Sequence, residues 1–214
     1  MHHVFSGMVM RNMFLFALTL AASAALAFPE PGQAQEGIDK AKVAAFDNRM
    51  FGGPLREKTY ACFVRHYDAN HLAQHPKQKV SAMKLLVTAE IPPEEPNTVN
   101  YSFRAGFQYR NRPGKFDSSG NCGHIVAEET GDEIRLGCGV DCDGGGITVA
   151  VKDDKSAIVR TERIRVWDRK KPDDDAGDAK FGEDDKMFRI ERADLRECAE
   201  LVTDRKELAA LRNK

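Results

Sequence analysis

Three histidines and an aspartate lie close together in the chain, with a spacing that suits a metal site. His66 and Asp68 are followed by His71 and His75, which are four positions apart. On a helix capped by Asp68, residues four apart share a face, and two imidazoles there can bind one zinc ion. His66 or Asp68 would supply a third ligand, and a zinc-bound water would serve a hydrolase.

The same stretch also has a simpler interpretation. It lacks the glutamate of the His-Glu-x-x-His motif, which acts as the general base in zinc proteases. Pro76 directly follows His75 and ends the helix after about two turns. In this interpretation Asp68 caps a short surface helix, Leu72 packs against a sheet, and the histidines supply hydrogen bonds and polar surface. We favour this interpretation and keep zinc as the alternative.

A second candidate is the glycine-rich segment 138–146, which holds Asp141 and Asp143. These carboxylates, with the acidic loop 172–185, suggest calcium, but the later ligands of a calcium loop are missing at their fixed spacing. The lysine and helix that follow a phosphate-binding loop are also missing. A tight reversal explains the glycines better, because glycine tolerates positive φ.

Nucleophilic catalysis has no motif in this sequence. A Gly-x-Ser-x-Gly elbow is lacking, and the pairing of Ser119 with His124 depends on the fold. The carboxylates of the loop 172–185 are numerous, but a general acid needs burial to raise its pKa, and an acidic run is expected to be solvated. The sequence therefore favours a non-catalytic protein and predicts no catalytic residue.

The elements that would position these residues follow an N-terminal leader. After Arg11 comes an apolar run, 13–27, with the small-residue exit that signal peptidases cut. This run is shorter than the roughly 20 residues that span a bilayer. We predict a signal peptide over 1–34, cleaved after Ala27 or Ala34, and a periplasmic or secreted protein. A second long apolar stretch is lacking, so we expect no membrane span in the mature chain.

The compartment determines how the five cysteines are interpreted. In an exported chain the default is disulfide bonds, and an odd number gives at most two bonds and one free thiol. A reversal at 129–131 places Cys122 directly opposite Cys138, which we predict as one bond. The second bond stays open among the remaining three, Cys62, Cys142 and Cys198.

The net charge of the chain is −1 at pH 7. Nucleic-acid binding depends on a clustered basic surface, so this balance gives no reason to expect a nucleic-acid partner. The roughly 180 residues beyond the leader suit one domain.

Hydrophobic residues recur with a period of two along most of this domain. In 99–109 the odd positions are apolar or aromatic and the even positions are mostly polar, as on a half-buried strand. Similar runs cover 60–67, 80–91, 122–128, 134–138, 147–151, 157–167 and 187–192. About eight strands with short turns predict a mainly β fold, an antiparallel meander closed as a barrel or a sandwich.

Helices and loops complete the predicted organisation. Residues 35–56 form an arm or short helix, and a β domain covers 57–200 with a short helix, 69–75, after its first strand. The loop 172–185 carries acidic residues and glycines and is predicted to be solvated. A C-terminal helix is predicted over 201–214 because Asp204 precedes an apolar run with the spacing of a helix cap.

Two stretches resemble exported proteobacterial proteins that have no assigned activity. They read YDxxHLxxHPxQxV from Tyr67 and CGVxCDGGG from Cys138. The resemblance covers about 60–198 and implies export without implying a reaction. Eight-stranded periplasmic barrels such as lipocalins offer an analogy of fold, but their Gly-x-Trp motif near the first strand is absent, and Trp167 lies late in the chain.

Together these features predict an exported, disulfide-stabilised, non-catalytic periplasmic β domain that binds an envelope component or a protein partner. The alternative is a zinc-binding protein or zinc-dependent hydrolase that uses His66, His71 and His75. We predict no cofactor, with zinc or calcium as the alternatives.

Overall fold

The computed structural model describes residues 38–141, 143–171, 174 and 177–212, apart from the side chain of Glu162. The predicted signal peptide and Cys142 therefore lie outside the described residues, as does part of the acidic loop. Within the described ranges, no helix is long and apolar enough to cross a membrane.

Nine strands account for about half of the described residues, with a few short helices around them. The elements in chain order are α1 Lys40–Phe51, β1 Lys58–His66, α2 Ala69–Gln74, β2 Val80–Glu90, β3 Asn100–Tyr109, β4 Arg112–Ala127, a 3-10 turn Glu128–Thr130, β5 Glu133–Gly139, β6 Gly145–Asp153, β7 Ser156–Asp168, β8 Gly177–Asp178, β9 Met187–Arg192, a 3-10 segment Leu195–Leu201 and α3 Arg205–Arg212. The mainly β fold, the short helix after the first strand and the C-terminal helix confirm the prediction.

The strands form a closed antiparallel barrel. Neighbouring strands pair in the order β1-β2-β3-β4-β5-β6-β7-β9, and β9 returns to β1 where Phe63 faces Arg192. The two-residue β8 adds to the outside of this circuit by pairing with β7. Of the two predicted architectures, the barrel is the one observed, because the last strand has a partner in the first.

The fourth strand is longer than predicted. The expected run, 122–128, covers only the half of β4 that pairs with β5, whereas β4 begins at Arg112 and also pairs with β3. Phe116 and Asp117 face β7 directly. The sequence hides this half because Phe116 is its only large apolar residue, so the alternating pattern is lost.

The barrel interior is filled by side chains. Phe63, Phe103 and Phe107 are almost completely buried in one continuous cluster that includes buried residues of all eight barrel strands. Helix α1 packs against one end, and its Met50 and Phe51 belong to the same cluster. A packed interior of this kind stabilises the fold by about 2 kcal/mol for each large side chain buried.

The opposite end of the barrel is closed by residues of the acidic loop. Phe181 packs edge-on against Phe107, and Asp185 is completely buried. The Asp185 carboxylate accepts hydrogen bonds from the backbone amides of Lys79, at 2.8 Å, and Gly182, at 2.7 Å. The prediction of a solvated loop 172–185 is therefore wrong for its last residue, because backbone donors replace water around the carboxylate.

The C-terminal residues 193–212, which we call the strap, lie on the outside of the barrel. Their 3-10 segment Leu195–Leu201 packs over β1, β2 and β3, and Cys198 is joined to Cys62. Helix α3 follows, with Asp204 accepting from the Glu207 amide at 2.8 Å. The predicted helix 201–214 thus begins later than expected, since Leu201 still belongs to the 3-10 segment.

Candidate functional site

The predicted histidine site forms a stack of rings on α2. Asp68 caps the helix, as expected, by accepting from the His71 amide at 2.8 Å. The His71 ring lies between the rings of Tyr67 and His75, with centroid distances of 4.6 and 4.3 Å. His66 is exposed at the end of β1. The histidine rings therefore face one another and do not point toward a common centre.

One nitrogen of His71 is already engaged. His71 Nε2 lies 3.0 Å from Gln78 Oε1, and the Gln78 amide nitrogen donates to the Val80 carbonyl at 2.7 Å. Because that second bond fixes the orientation of the amide, the oxygen faces the ring and Nε2 is the donor. The histidine thus anchors α2 to the start of β2.

Among the described residues, no group of three or more histidine, cysteine, aspartate or glutamate side chains is placed to hold a metal ion. Asp141 and Asp143 lie in an exposed turn, where Asp143 has a positive φ of 57°. The zinc and calcium hypotheses receive no support from this geometry and stay predictions.

Ser119 and His124 do not come together. They are five residues apart on β4, so their side chains point to opposite faces of the strand. His124 Nε2 lies 2.9 Å from Asp47 Oδ1, and Tyr101 donates to Asp47 Oδ2 at 2.7 Å. Burial and this hydrogen bond raise the pKa of Tyr101. The cluster fastens α1 to the end of the barrel.

A surface that the sequence analysis missed lies on the outside of β4, β5, β6 and β7. The register places Gly123 opposite Gly137, Gly137 opposite Thr148, and Thr148 opposite Arg160. Apart from the turn Glu128–Thr130, which covers Arg135, no described segment lies over this part of the barrel, so we call it the bare face. A depression of about 830 Å³ crosses it, and the outward-facing residues that line this depression include Ile125, Arg135, Gly137, Gly146, Thr148, Arg160 and Arg163. Gly123 and Gly139 belong to the same face beside the depression.

Apolar and cationic side chains surround this depression. Ile125 and Val126 line it and are 37% and 38% exposed, unusually high for large aliphatic residues in this protein. Arg160 is exposed and makes no hydrogen bond or ion pair with the described side chains, and Arg163 pairs with Asp178 at 3.1 Å while both remain about half exposed. The described rim is therefore apolar at one side and positive at the other.

Arg135 lines the depression but is already neutralised. It is buried, and its guanidinium donates to Glu133 at 2.8 Å and to Glu129 at 2.7 Å. Burial opposes the charged form, but these hydrogen bonds outweigh burial and raise the pKa of Arg135. Arg135 therefore supports the floor of the bare face, and the exposed positive charge comes from Arg160 and from Arg163 in its half-exposed ion pair.

Two glycines of the bare face are not required by the backbone. Gly123 and Gly139 lack positive φ, and a Cβ atom added to either would meet only open space. Gly146 differs, because its Cβ would lie 2.1 Å from the Cys138 carbonyl oxygen. Glycine inside a strand weakens the sheet and commonly marks a close approach by another group. The sequence shows these glycines inside predicted strands. Only the structure shows that they lie on a largely uncovered face, where they can indicate a binding surface.

The face beneath the strap shows how this barrel uses a glycine. A Cβ added to Gly106 on β3 would lie 2.8 Å from Leu201 Cδ2, so the absent side chain makes room for that leucine. Glu200 beside it forms ion pairs with Lys84 at 3.1 Å and Arg169 at 2.8 Å. An apolar side chain over a glycine, flanked by a paired carboxylate, holds the strap on the barrel.

The charged groups under the strap are strongly coupled. Burial opposes the charged form of Glu200, but hydrogen bonds from Lys115 and Lys84 outweigh burial and lower its pKa to about 2. Arg169 donates to Asp117 Oδ2 at 2.6 Å, and this bond is the main cause of its raised pKa. Glu207 on α3 accepts from Arg104 at 3.0 Å.

Comparisons with known proteins give no relative for this chain: no family model, no curated protein and no solved structure matches it.

Proposed function

We propose that this protein is an exported, non-catalytic binding domain that recognises its partner on the bare face. The protein is a β barrel with two disulfide bonds, Cys62–Cys198 and Cys122–Cys138. Such bonds persist in oxidising compartments and indicate a location outside the cytoplasm. The signal-like leader over 1–34 supports export to the periplasm or beyond.

The observation that carries the proposal is the contrast between a filled interior and an uncovered outer face. Phe63, Phe103 and Phe107 fill the barrel, α1 packs at one end, and Phe181 and Asp185 close the other. A ligand bound inside would have to displace this core, whereas the bare face offers a ready depression on the surface. Exposed apolar side chains rimmed by charge are typical of an interaction surface.

Several buried or half-buried titratable groups have structural partners. Asp47 and His124 hold α1, His71 anchors α2, and Glu200 holds the strap. Each of these groups holds one element against another. Their structural use supports a protein that binds through its bare face and does not catalyse a reaction.

Immobilised protein exposed to a detergent extract of the envelope of the producing cells tests this function. We expect the wild-type protein to retain a component that the double variant Ile125→Glu, Arg160→Glu does not retain. The matched control, Leu195→Glu with Arg196→Glu, changes the strap and should retain it. Equal retention by both double variants would overturn the proposal.

Mass spectrometry of the secreted form should find an N-terminus after Ala27 or Ala34; an intact Met1 would overturn the export claim.

A further inference from the structure

We propose that the bare face binds an acidic protein segment that carries a large apolar side chain. This inference rests on the proposed function of the bare face and adds the chemistry of the partner. It follows from the charge of the rim, from the shape of the floor, and from the way the strap occupies the opposite side of the same barrel.

The charge of the rim selects an acidic partner. Arg160 makes no hydrogen bond or ion pair with the described side chains, and Arg163 holds Asp178 only through a half-exposed ion pair. Such surface pairs contribute little and exchange readily. Glu129 and Glu133 are both bound by Arg135, and the charge of Glu129, which also acts on Arg160, offsets the rim only in part. Carboxylates on a docked segment would therefore find two available guanidinium groups.

The apolar side of the rim favours a protein segment over a polyanionic saccharide. Ile125 and Val126 expose aliphatic surface beside the arginines. A highly hydrated sulfated or phosphorylated chain gains nothing from these side chains, while a leucine or phenylalanine buries them and itself. A patch that is both apolar and cationic thus matches a peptide that is both apolar and acidic.

The bare face has room for that apolar side chain above Gly123, next to Gly137 in the lining of the depression. Gly123 faces Gly137 across the β4–β5 ladder, and the space above Gly123 is open. The Ile125 side chain leans over Gly137, since a Cβ there would lie 3.0 Å from Ile125 Cγ2. A large side chain placed above Gly123 would therefore rest on backbone and against an aliphatic wall.

The strap provides the precedent within this molecule. Leu201 fills the space above Gly106, and Glu200 beside it reaches Lys84 and Arg169. At this point the strap thus places a carboxylate beside an apolar side chain, seated on a cationic part of the barrel. The bare face repeats these elements with no described segment in place.

A short synthetic peptide tests the inference directly. The probe is acetylated Asp-Glu-Leu-Phe-Glu-Asp with a C-terminal amide, titrated into the mature protein while amide signals are followed by nuclear magnetic resonance. We expect saturable shifts at Gly123, Gly137 and Thr148. Arg160→Glu should weaken binding by about tenfold or more, because an attractive contact becomes repulsive. Arg196→Glu on the strap is the matched control and should leave binding unchanged.

Three results would overturn the inference. The first is equal binding by a peptide with lysine in place of each acidic residue, and the second is binding unaffected by Arg160→Glu. The third is saturable binding of dextran sulfate on the same residues without binding of the peptide, which would identify a polyanion site. If envelope capture depends on Ile125 and Arg160 while the peptide fails to bind, only the partner chemistry is wrong. If capture is independent of both residues, the proposed function has failed.

Discussion

Two outer faces of the barrel both carry glycines and basic residues, but the strap covers only one of them. Under the strap, Gly106 receives Leu201, and the surrounding charges are paired with Glu200 and Glu207. On the bare face, a Cβ atom on Gly123 or Gly139 would meet open space, and Arg160 makes no hydrogen bond or ion pair with the described side chains. The first face shows what a glycine and a basic residue do when a segment covers them. The second face has the same groups available to another molecule.

The largest expected difference between the faces lies in their disulfide bonds. Cys62–Cys198 joins residues 136 positions apart and ties the strap to β1, whereas Cys122–Cys138 spans only 16 positions behind the bare face. In the chain-entropy model the longer loop contributes about 5 kcal/mol and the shorter one about 3 kcal/mol. Replacing each pair by alanine and measuring urea unfolding should reproduce this order. The reverse order would show that the strap adds little to the barrel.

The next effect concerns the apolar contact of the strap. Leu201→Ala should lower the free energy of unfolding by about 3 kcal/mol, because Leu201 is buried over Gly106 and the cavity cannot close completely. Thermal unfolding measures this loss. Ile125→Ala on the bare face serves as the comparison and should change the free energy of unfolding by less than about 1 kcal/mol. Equal losses would mean that Ile125 is part of the core.

A smaller effect is the response of the strap to acid. The pKa of Glu200 in the folded protein is lowered to about 2 from its usual 4.5. A lowered folded pKa stabilises the protein above the unfolded value and loses that contribution as pH falls toward the folded value. Stability should therefore decline from about pH 4.5 to about pH 2. Denaturant midpoints of the wild type and Glu200→Gln should converge over this range; a constant gap would contradict the ion-pair account.

The smallest effects come from adding one methyl group to a glycine on each face. Gly106→Ala should destabilise the protein by about 1–2 kcal/mol, because the new Cβ meets Leu201. Gly123→Ala and Gly139→Ala should leave stability unchanged or raise it by about 0.5 kcal/mol, since space is open and glycine in a strand is costly. Denaturant unfolding measures whether the free energy of unfolding falls, as expected for Gly106→Ala, or stays the same or rises, as expected for the other two variants. A loss at Gly123 equal to that at Gly106 would show that the bare-face glycines serve the fold.

The parts of the fold that local patterns control were predictable. The alternation in 99–109 predicted β3, because one face of that strand is buried and the other is not. Asp68 indicated the start of α2, because its carboxylate satisfies an amide that the helix leaves free. The register of a short hairpin placed Cys122 opposite Cys138.

Other features depend on distant residues and could not be derived from spacing. Cys198 bonds Cys62 across 136 positions, which no local rule selects from the remaining cysteines. Asp185 belongs to an acidic run, yet it is buried because the amide of Lys79, just before β2, and an amide of its own loop bind its carboxylate. The histidine spacing was correct, but stacking and Gln78 decide where those rings point. The bare face could not be predicted from the sequence, because a strand glycine indicates a binding surface only if no other segment of the chain covers it.

Site-specific photo-crosslinking in the producing cells tests the central claim, that the bare face binds the partner. A benzophenone side chain placed at Thr148 samples the bare face, and one placed at Arg196 samples the exposed side of the strap. Our account predicts a discrete crosslinked product from position 148 that Arg160→Glu abolishes, and no such product from position 196. Crosslinking from position 196 alone, or from both positions regardless of Arg160, would contradict it.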